Sequence, residues 1–332
     1  MRVGAMGDVL HGLPAVASLR AALPDSFLGW AVEDHLEPLL HDSSGNRPLV
    51  DRVHSLRTHA WRRTPLAPET LKEILALRTE MLDEDYDLCI DLQGTVKSSV
   101  FGRMAEPGSM IGPDQPKEWP ARLLYQQRVQ HADPHVIQQA SEIISAAVGL
   151  PIAAAPIALP SDAAAEAWVD DLKVGSGFAL LSPTAGWGGK EWGVERFAAL
   201  AVELENRGIH VLINAVAGAN QDAASQIAAS AGRVIPSTLA QMIALIRRAG
   251  VVIGGDSGPV HMAAALGRPV VMLFGATDPL RNGPYFVDAK FIVIRHPSSV
   301  NDYRHHQITD EGLKQIPVEQ VLEAALTMLA TS

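Results

Sequence analysis

The stretch VVIGGDSGPVHMAAALGRPVVMLFG, residues 251–275, decides the fold. An apolar, β-branched run passes through Gly254-Gly255-Asp256-Ser257-Gly258 into small residues suited to a helix. It stops at Gly267, and a second apolar run begins at Pro269. Strand, glycine turn, helix, strand is one βαβ unit, and strands joined by such a crossover run parallel. Outward from it, strand-like runs recur at 178–184 (FALLSPT), 210–216 (HVLINAV) and 290–295 (KFIVIR). Amphipathic helical patterns at 194–207 and 238–248 separate them and end at Gly208 and Gly250. In the first half only 27–33 (FLGWAVE) and 86–93 (YDLCIDLQ) read as strands. The Pro- and Ala-rich stretch 150–165 (LPIAAAPIALPSDAAA) sustains neither period and reads as a linker. It divides the chain into two α/β units, 1–157 and 158–332. Open α/β sheets bind ligands at the carboxyl ends of their strands, so the active site is expected in a cleft between the units.

Composition narrows the function. The 332 residues are 47% hydrophobic, with 27 Lys+Arg against 37 Asp+Glu and a net charge of −10. Such a chain is neither disordered nor a coiled coil, and it lacks the dense positive charge that phosphate backbones require, so no nucleic acid partner is expected. The single cysteine, Cys89, precludes an internal disulfide and suits a reducing compartment. No apolar run approaches the roughly 18 residues needed to span a bilayer. Asp8, His11 and Arg20 interrupt the amino terminus where a signal peptide would need an unbroken core. The expectation is a cytoplasmic, soluble protein.

Four segments carry candidate chemistry. Residues 4–14 (GAMGDVLHGLP) read as a glycine-bearing turn leading into a helix over 14–22, where Asp8 is either a general base or a helix cap. In 254–267 a strand end runs into a helix whose free N–H groups and dipole suit a diphosphate, with Asp256, Ser257, Gly258 and His261 around it. In 182–192 (SPTAGWGGKEW) Lys190 is placed to neutralise a leaving phosphate and Thr184 to donate to it; the order is not that of a Walker loop. No D-x-D motif of the sort that holds a divalent metal on a nucleotide sugar is expected, which favours a metal-free mechanism. Residues 52–63 (RVHSLRTHAWRR) hold four arginines and two histidines without an acid, and Lys97, Lys117, Arg122 and Arg128 follow. They form either an anion-binding surface or an ordinary solvated one.

In this order and at these separations, 6–15 (MGDVLHGLPA), 91–98 (DLQGTVKS), 188–197 (GGKEWGVERF) and 255–279 (GDSGPVHMAAALGRPVVMLFGATDP) resemble the family 9 glycosyltransferases, the ADP-heptose:lipopolysaccharide heptosyltransferases. The resemblance implies a GT-B fold, two Rossmann-like domains whose parallel sheets face a central cleft. Residues 1–157 would bind the acceptor and 158–332 the nucleotide sugar, with the last helix packing back on the first domain. It implies an inverting transfer from ADP-heptose with no metal and no cofactor. Asp8 would be the base, and Lys190 would assist the leaving group. Thr184, Lys190, Asp256, Ser257, Gly258 and His261 would hold the donor, with Asp222 on its ribose. His11, Arg57, Arg62, Arg63, Gln93, Lys97 and Arg122 would bind the acceptor, lipid A bearing acidic Kdo sugars at the inner membrane surface, and the enzyme would be a monomer. Two other readings share the sequence features: the same fold with another nucleotide-sugar donor, and a two-domain protein that binds without turnover. Where the family places a full first strand, only residues 1–3 precede Gly4, so either the start is internal to the reading frame or that strand is short.

Overall fold

A computed structural model describes residues 1–40, 49–217, 221–286, 290–302 and 308–330. His305 and His306, the one adjacent pair among the twelve histidines of the sequence, and residues 218–220, which precede Asp222, lie outside them. The described residues up to Ile157 form one unit and those from Ala158 onward a second.

In chain order the second unit runs α6 (Ala163–Asp171), β6 (Ala179–Ser182), α7 (Val194–Glu205), β7 (Val211–Val216), α8 (Asp222–Ala228), β8 (Arg233–Ser237), α9 (Leu239–Arg248), β9 (Val251–Gly255), α10 (Gly258–Ala265), β10 (Val270–Phe274), α11 (Pro279–Asn282), β11 (Phe291–Arg295), α12 (Glu311–Gln315) and α13 (Val318–Ala330). Its six strands pair in parallel in the order β11-β10-β9-β6-β7-β8. Every residue of β6, β9 and β10 is buried, which is why these strands are unbroken apolar runs: helices cover both faces of a parallel sheet. Phe197, Leu200 and Leu204 of α7 share one core with Trp192 and with Val321, Ala325 and Met328 of α13. The last helix, expected to pack back on the first domain, thus buries its apolar face in the core of the second. The strand order reverses at β6, which lies between β7 and β9, so the sheet's switch point is at the carboxyl ends of β6 and β9.

The first unit runs α1 (Met6–Ala22), β1 (Gly29–Glu33), β2 (Arg52–Leu56), α2 (Thr58–Trp61), α3 (Pro68–Asp83), β3 (Leu88–Ile90), α4 (Val96–Met104), β4 (Ser109–Pro113), β5 (Gln127–Val129) and α5 (Val136–Val148), with 3-10 segments at Asp34–Leu39 and Trp119–Leu124. β1 pairs with β2, and β3-β4-β5 form a second parallel set. Residues 1–3 join the two sets. The Met1 ammonium donates to Ile90 O at 2.6 Å, Leu92 N–H to Met1 O at 3.0 Å, and Glu33 N–H to Val3 O at 2.9 Å. A short segment therefore satisfies backbone on both sides, as a longer strand would.

Two expectations change. α1 is continuous from Met6, so Asp8 lies in its first turn and Pro14 in its interior. An interior proline costs roughly 3 kcal/mol, but full burial of Val9, Leu10 and Leu13 contributes about 1.5–3 kcal/mol each and outweighs it. Residues 52–56, the start of the basic stretch 52–63 that was given no strand, are β2.

Candidate active site

At the switch point Ser182 pairs in register with Gly254, and the chain after β6 returns over the end of β9. A Cβ on Gly255 would lie 2.2 Å from the Lys190 carbonyl oxygen, so only glycine admits this crossing. The crossing brings Lys190 to Asp256. Lys190 Nζ donates to Asp256 Oδ2 at 2.6 Å, Thr277 Oγ1 donates to the same oxygen at 2.7 Å, and His261 Nε2 donates to Oδ1 at 2.6 Å. Burial opposes ionisation of Asp256, yet the bonds and charges of His261 and Lys190 outweigh it and hold the carboxyl far below the usual range. The carboxylate fixes the direction of the ammonium, which still has further donors for an anion.

Ser257 is the N-cap residue of α10, but its hydroxyl makes no capping bond; buried, it has no hydrogen-bond partner among the described residues. Gly258 and Pro259 open the helix, and His261 sits one turn in. Ser182, Asn214 and Ser237, on neighbouring strands, likewise carry buried polar atoms without partners. An unpartnered hydroxyl at a helix start beside a directed ammonium is an arrangement that suits an anion. Thr184 lies exposed two residues beyond β6, and Asp222 opens α8 after β7, also exposed. The residues that sequence reasoning missed are Thr277 and the orphan polar groups Ser182, Asn214 and Ser237. Their signal was position, at or near the ends of adjacent strands.

In the first unit Asp8 is held by Lys117, whose Nζ donates to Oδ1 at 3.0 Å and Oδ2 at 2.9 Å, and by Arg2 Nη2 at 3.4 Å. Burial alone would raise the Asp8 pKa; the charges of Lys117 and then Arg2 reverse this and keep the carboxyl below its ordinary value. A quarter of the side chain remains exposed, so the carboxylate is ionised and reachable. Asp8 is not a side-chain cap, because the N-terminal cap of α1 is Ala5.

The placement of α1 comes from the 91–98 segment. Asp91 Oδ1 accepts Gln93 N–H and Gly94 N–H at 2.9 and 3.1 Å, and its Oδ2 accepts Ser98 Oγ and Tyr125 OH at 2.9 and 2.8 Å. Gln93 in turn accepts Val3 N–H at 2.6 Å and donates to Gly4 O. Its amide clamps the entry to α1. His11 is likewise buried, edge-on to the His135 ring at 6.2 Å.

The other expected acceptor residues are distributed. Lys97 Nζ reaches the buried Glu33 at 2.8 Å, Arg57 pairs with Glu73 at 2.9 Å, and Arg122 pairs with Asp114 at 2.7 Å. Arg62 and Arg63 follow α2 and are exposed. Glu33, Asp34 and His35 approach closely enough to hold a cation, but Lys97 and Thr58 already occupy Glu33. D-x-D spacings do occur at Asp83, Asp85 and Asp87, exposed between α3 and β3 in the first unit, whereas the phosphate-binding candidates belong to the second.

The profile of glycosyltransferase family 9 (heptosyltransferase) matches residues 74–309. The lipopolysaccharide heptosyltransferase 1 of Escherichia coli O18:K1:H7 is 27% identical over 335 residues, covering 98% of this chain and 98% of that protein. Among solved structures, E. coli heptosyltransferase WaaC with ADP superposes with a TM-score of 0.78 at 25% identity, covering 98% of each chain. WaaC with ADP-2-deoxy-2-fluoro heptose gives 0.74 at 25% identity, over 97% of this chain and 96% of that one. These neighbours are of the GT-B type, and two Rossmann-like units with parallel sheets make this fold one of them.

Proposed function

The chain belongs to glycosyltransferase family 9, the heptosyltransferase family, and on that premise we propose that it moves heptose from ADP-heptose to the Kdo-bearing lipid A inner core of lipopolysaccharide, with inversion and without a metal. The observation that carries the donor half is the convergence of Lys190, His261 and Thr277 on Asp256, beside the unpartnered Ser257 hydroxyl at the start of α10.

In the transfer, an acceptor hydroxyl oxygen attacks the anomeric carbon and gives its proton to Asp8. The bond from that carbon to the diphosphate breaks, and its electron pair stays on the phosphate oxygen. Attack and departure on opposite faces in one displacement invert the centre. Lys190, the Ser257 hydroxyl and the positive end of α10 oppose the charge that develops on the diphosphate. ADP is already a weak base, so no second acid is needed. Thr184 donates to the same phosphates and Asp222 accepts from the ribose. Arg57, Arg62, Arg63, Lys97 and Arg122 suit acidic acceptor sugars. The enzyme works as a monomer on the cytoplasmic side, meeting its lipid acceptor at the inner membrane surface.

Calorimetry of the purified chain with ADP-, UDP- and GDP-sugars tests the donor. Selective binding of ADP-heptose is expected, and binding of another nucleotide sugar alone would retire the heptosyl assignment. Transfer to Kdo-lipid A should survive EDTA, and its loss on chelation would overturn the metal-free mechanism.

A further inference from the structure

Three donors meet at the buried carboxylate of Asp256, and only two of them carry charge. His261 donates to Oδ1, while Lys190 and Thr277 share Oδ2. The two cations hold the carboxyl far below the usual range against the opposing effect of burial. Ionisation of Asp256 therefore does not need the threonine. Nor does Thr277 face a ligand itself: it is 1% exposed, against 18% for the side chain of Lys190. What its hydroxyl can act on is the oxygen that it shares with Lys190.

The hydroxyl is brought there by the chain that leaves β10, and hydrogen bonds fix that turn on both sides of it. Asp302 N–H donates to Ala276 O at 2.8 Å, Arg295 Nε donates to Gly275 O at 3.4 Å, and the Asp278 carboxylate accepts Leu280 N–H at 2.9 Å. Lys190 is held from its own side. Its N–H donates to Trp187 O at 3.2 Å, and its ammonium lies 5.9 Å from the centre of the Trp187 ring, within reach of a weak cation–π attraction. A Cβ on Gly189 would lie 2.1 Å from that ring, so glycine at 189 is what admits the ring beside the lysine. A carboxylate oxygen with two donors holds each less tightly than an oxygen with one. Without the threonine hydroxyl, Oδ2 would hold the ammonium more tightly, and carboxylate and diphosphate compete for that one cation.

We propose that Thr277 is a positioning residue: by donating to Asp256 Oδ2 it keeps the Lys190 ammonium available to the leaving diphosphate. The inference rests on the nucleotide-sugar donor proposed above. Charge on the diphosphate grows as its bond to the sugar breaks, so the ammonium matters more in the transition state than in the ground state. Thr277 thus acts on kcat more than on KM, and only through Lys190.

The test is a double-mutant cycle on the full chain. Thr277→Val nearly keeps the shape and removes the hydroxyl, Thr277→Ser keeps the hydroxyl and loses the methyl, and Lys190→Met is made alone and with Thr277→Val. In Thr277→Val the kcat for heptose transfer should fall about tenfold while the KM for ADP-heptose changes by less than about threefold, and Thr277→Ser should retain most of the wild-type rate. ADP carries the charge of the departed leaving group, and calorimetry should find it bound about fivefold more weakly by Thr277→Val. In the Lys190→Met background, Thr277→Val should alter neither quantity. A packing role would lower both in either background, and serine, which leaves the methyl's space empty, would not rescue it. Equal losses in the two backgrounds therefore overturn the proposal, as does a wild-type kcat in Thr277→Val. Should Thr277→Val fail to fold by circular dichroism, Thr277→Ala takes its place in the cycle. A wild type that binds ADP but transfers no heptose would lose the heptosyl reading, and the ADP cycle would still decide the role of Thr277. A wild type that binds no ADP would remove the donor site and this inference together.

Discussion

In the second unit six parallel strands form one sheet over an apolar core, and buried polar side chains gather mainly where strands end, at Ser182, Ser237, Asp256, Ser257 and Thr277. In the first unit the apolar clusters are smaller, and buried polar groups do the joining. Gln93 clamps the entry to α1, Asp91 caps the turn beneath it, and Glu33 ties β1 to Thr58 and Lys97. Where hydrophobic burial alone fixes the sheet, site residues are added at its edge. Where polar clamps fix it, residues that build the fold and residues that serve chemistry are neighbours on the same segment. Substitutions in the two units should therefore separate stability from function to different degrees.

The largest effect is expected from Asp256→Ala. It leaves a buried lysine, histidine and threonine without their common acceptor, and breaking such a cluster destabilises by about 3–5 kcal/mol. Urea unfolding reads this directly, and a loss below about 1 kcal/mol would mean that Lys190 and His261 find other partners. Asp8→Ala comes next. Turnover should drop at least about 100-fold, close to 2.7 kcal/mol of barrier, with ADP affinity unchanged because the donor residues lie in the other unit. Near-normal turnover would take Asp8 out of the mechanism.

Legibility in the sequence follows the same division. β6, β7, β9, β10 and β11 were readable because strands covered by helices on one or both faces must be largely apolar, and the glycine punctuation at 208 and 250 marked where α7 and α9 stop. β8 was missed: it is an edge strand, and Pro236 within it is tolerated only there. β5 has three residues, too few for a period to show, β4 ends in Gly-Pro, which reads as a turn, and β2 was hidden by its arginine and histidine. Asp256, Ser257 and His261 were legible as a site because they follow a strand and open a helix. Lys117 on Asp8 was not, since 109 residues separate them in sequence. Gln93 shows the limit most sharply, because an amide for a sugar and an amide for a backbone look alike in one dimension. Gln93→Ala should cost about 1–3 kcal/mol of stability, the price of unpaired N–H and C=O groups at Val3 and Gly4. Unchanged stability with a raised KM for acceptor would assign Gln93 to the acceptor site.

The smallest expected effect is the most specific to the first unit. Lys117 bonds both oxygens of Asp8, so Lys117→Met removes the nearer and stronger of its two cations and leaves Arg2 at 3.4 Å. The wild-type carboxyl is depressed below 3.8, so the base remains ionised as pH falls toward that value, and its contribution to stability, present above 3.8, is lost only below it. With Lys117 gone, burial is opposed by Arg2 alone and the pKa rises. The acid limb of the turnover profile should then move to higher pH. A rise in pKa also makes Asp8 a stronger base above the limb, so turnover at neutral pH should hold or increase when the acceptor is saturating. If the limb stays where it is in wild type, Lys117 does not set the ionisation of Asp8. The pairing would then serve only to anchor the 114–118 loop to α1, one more polar clamp in a unit that depends on them.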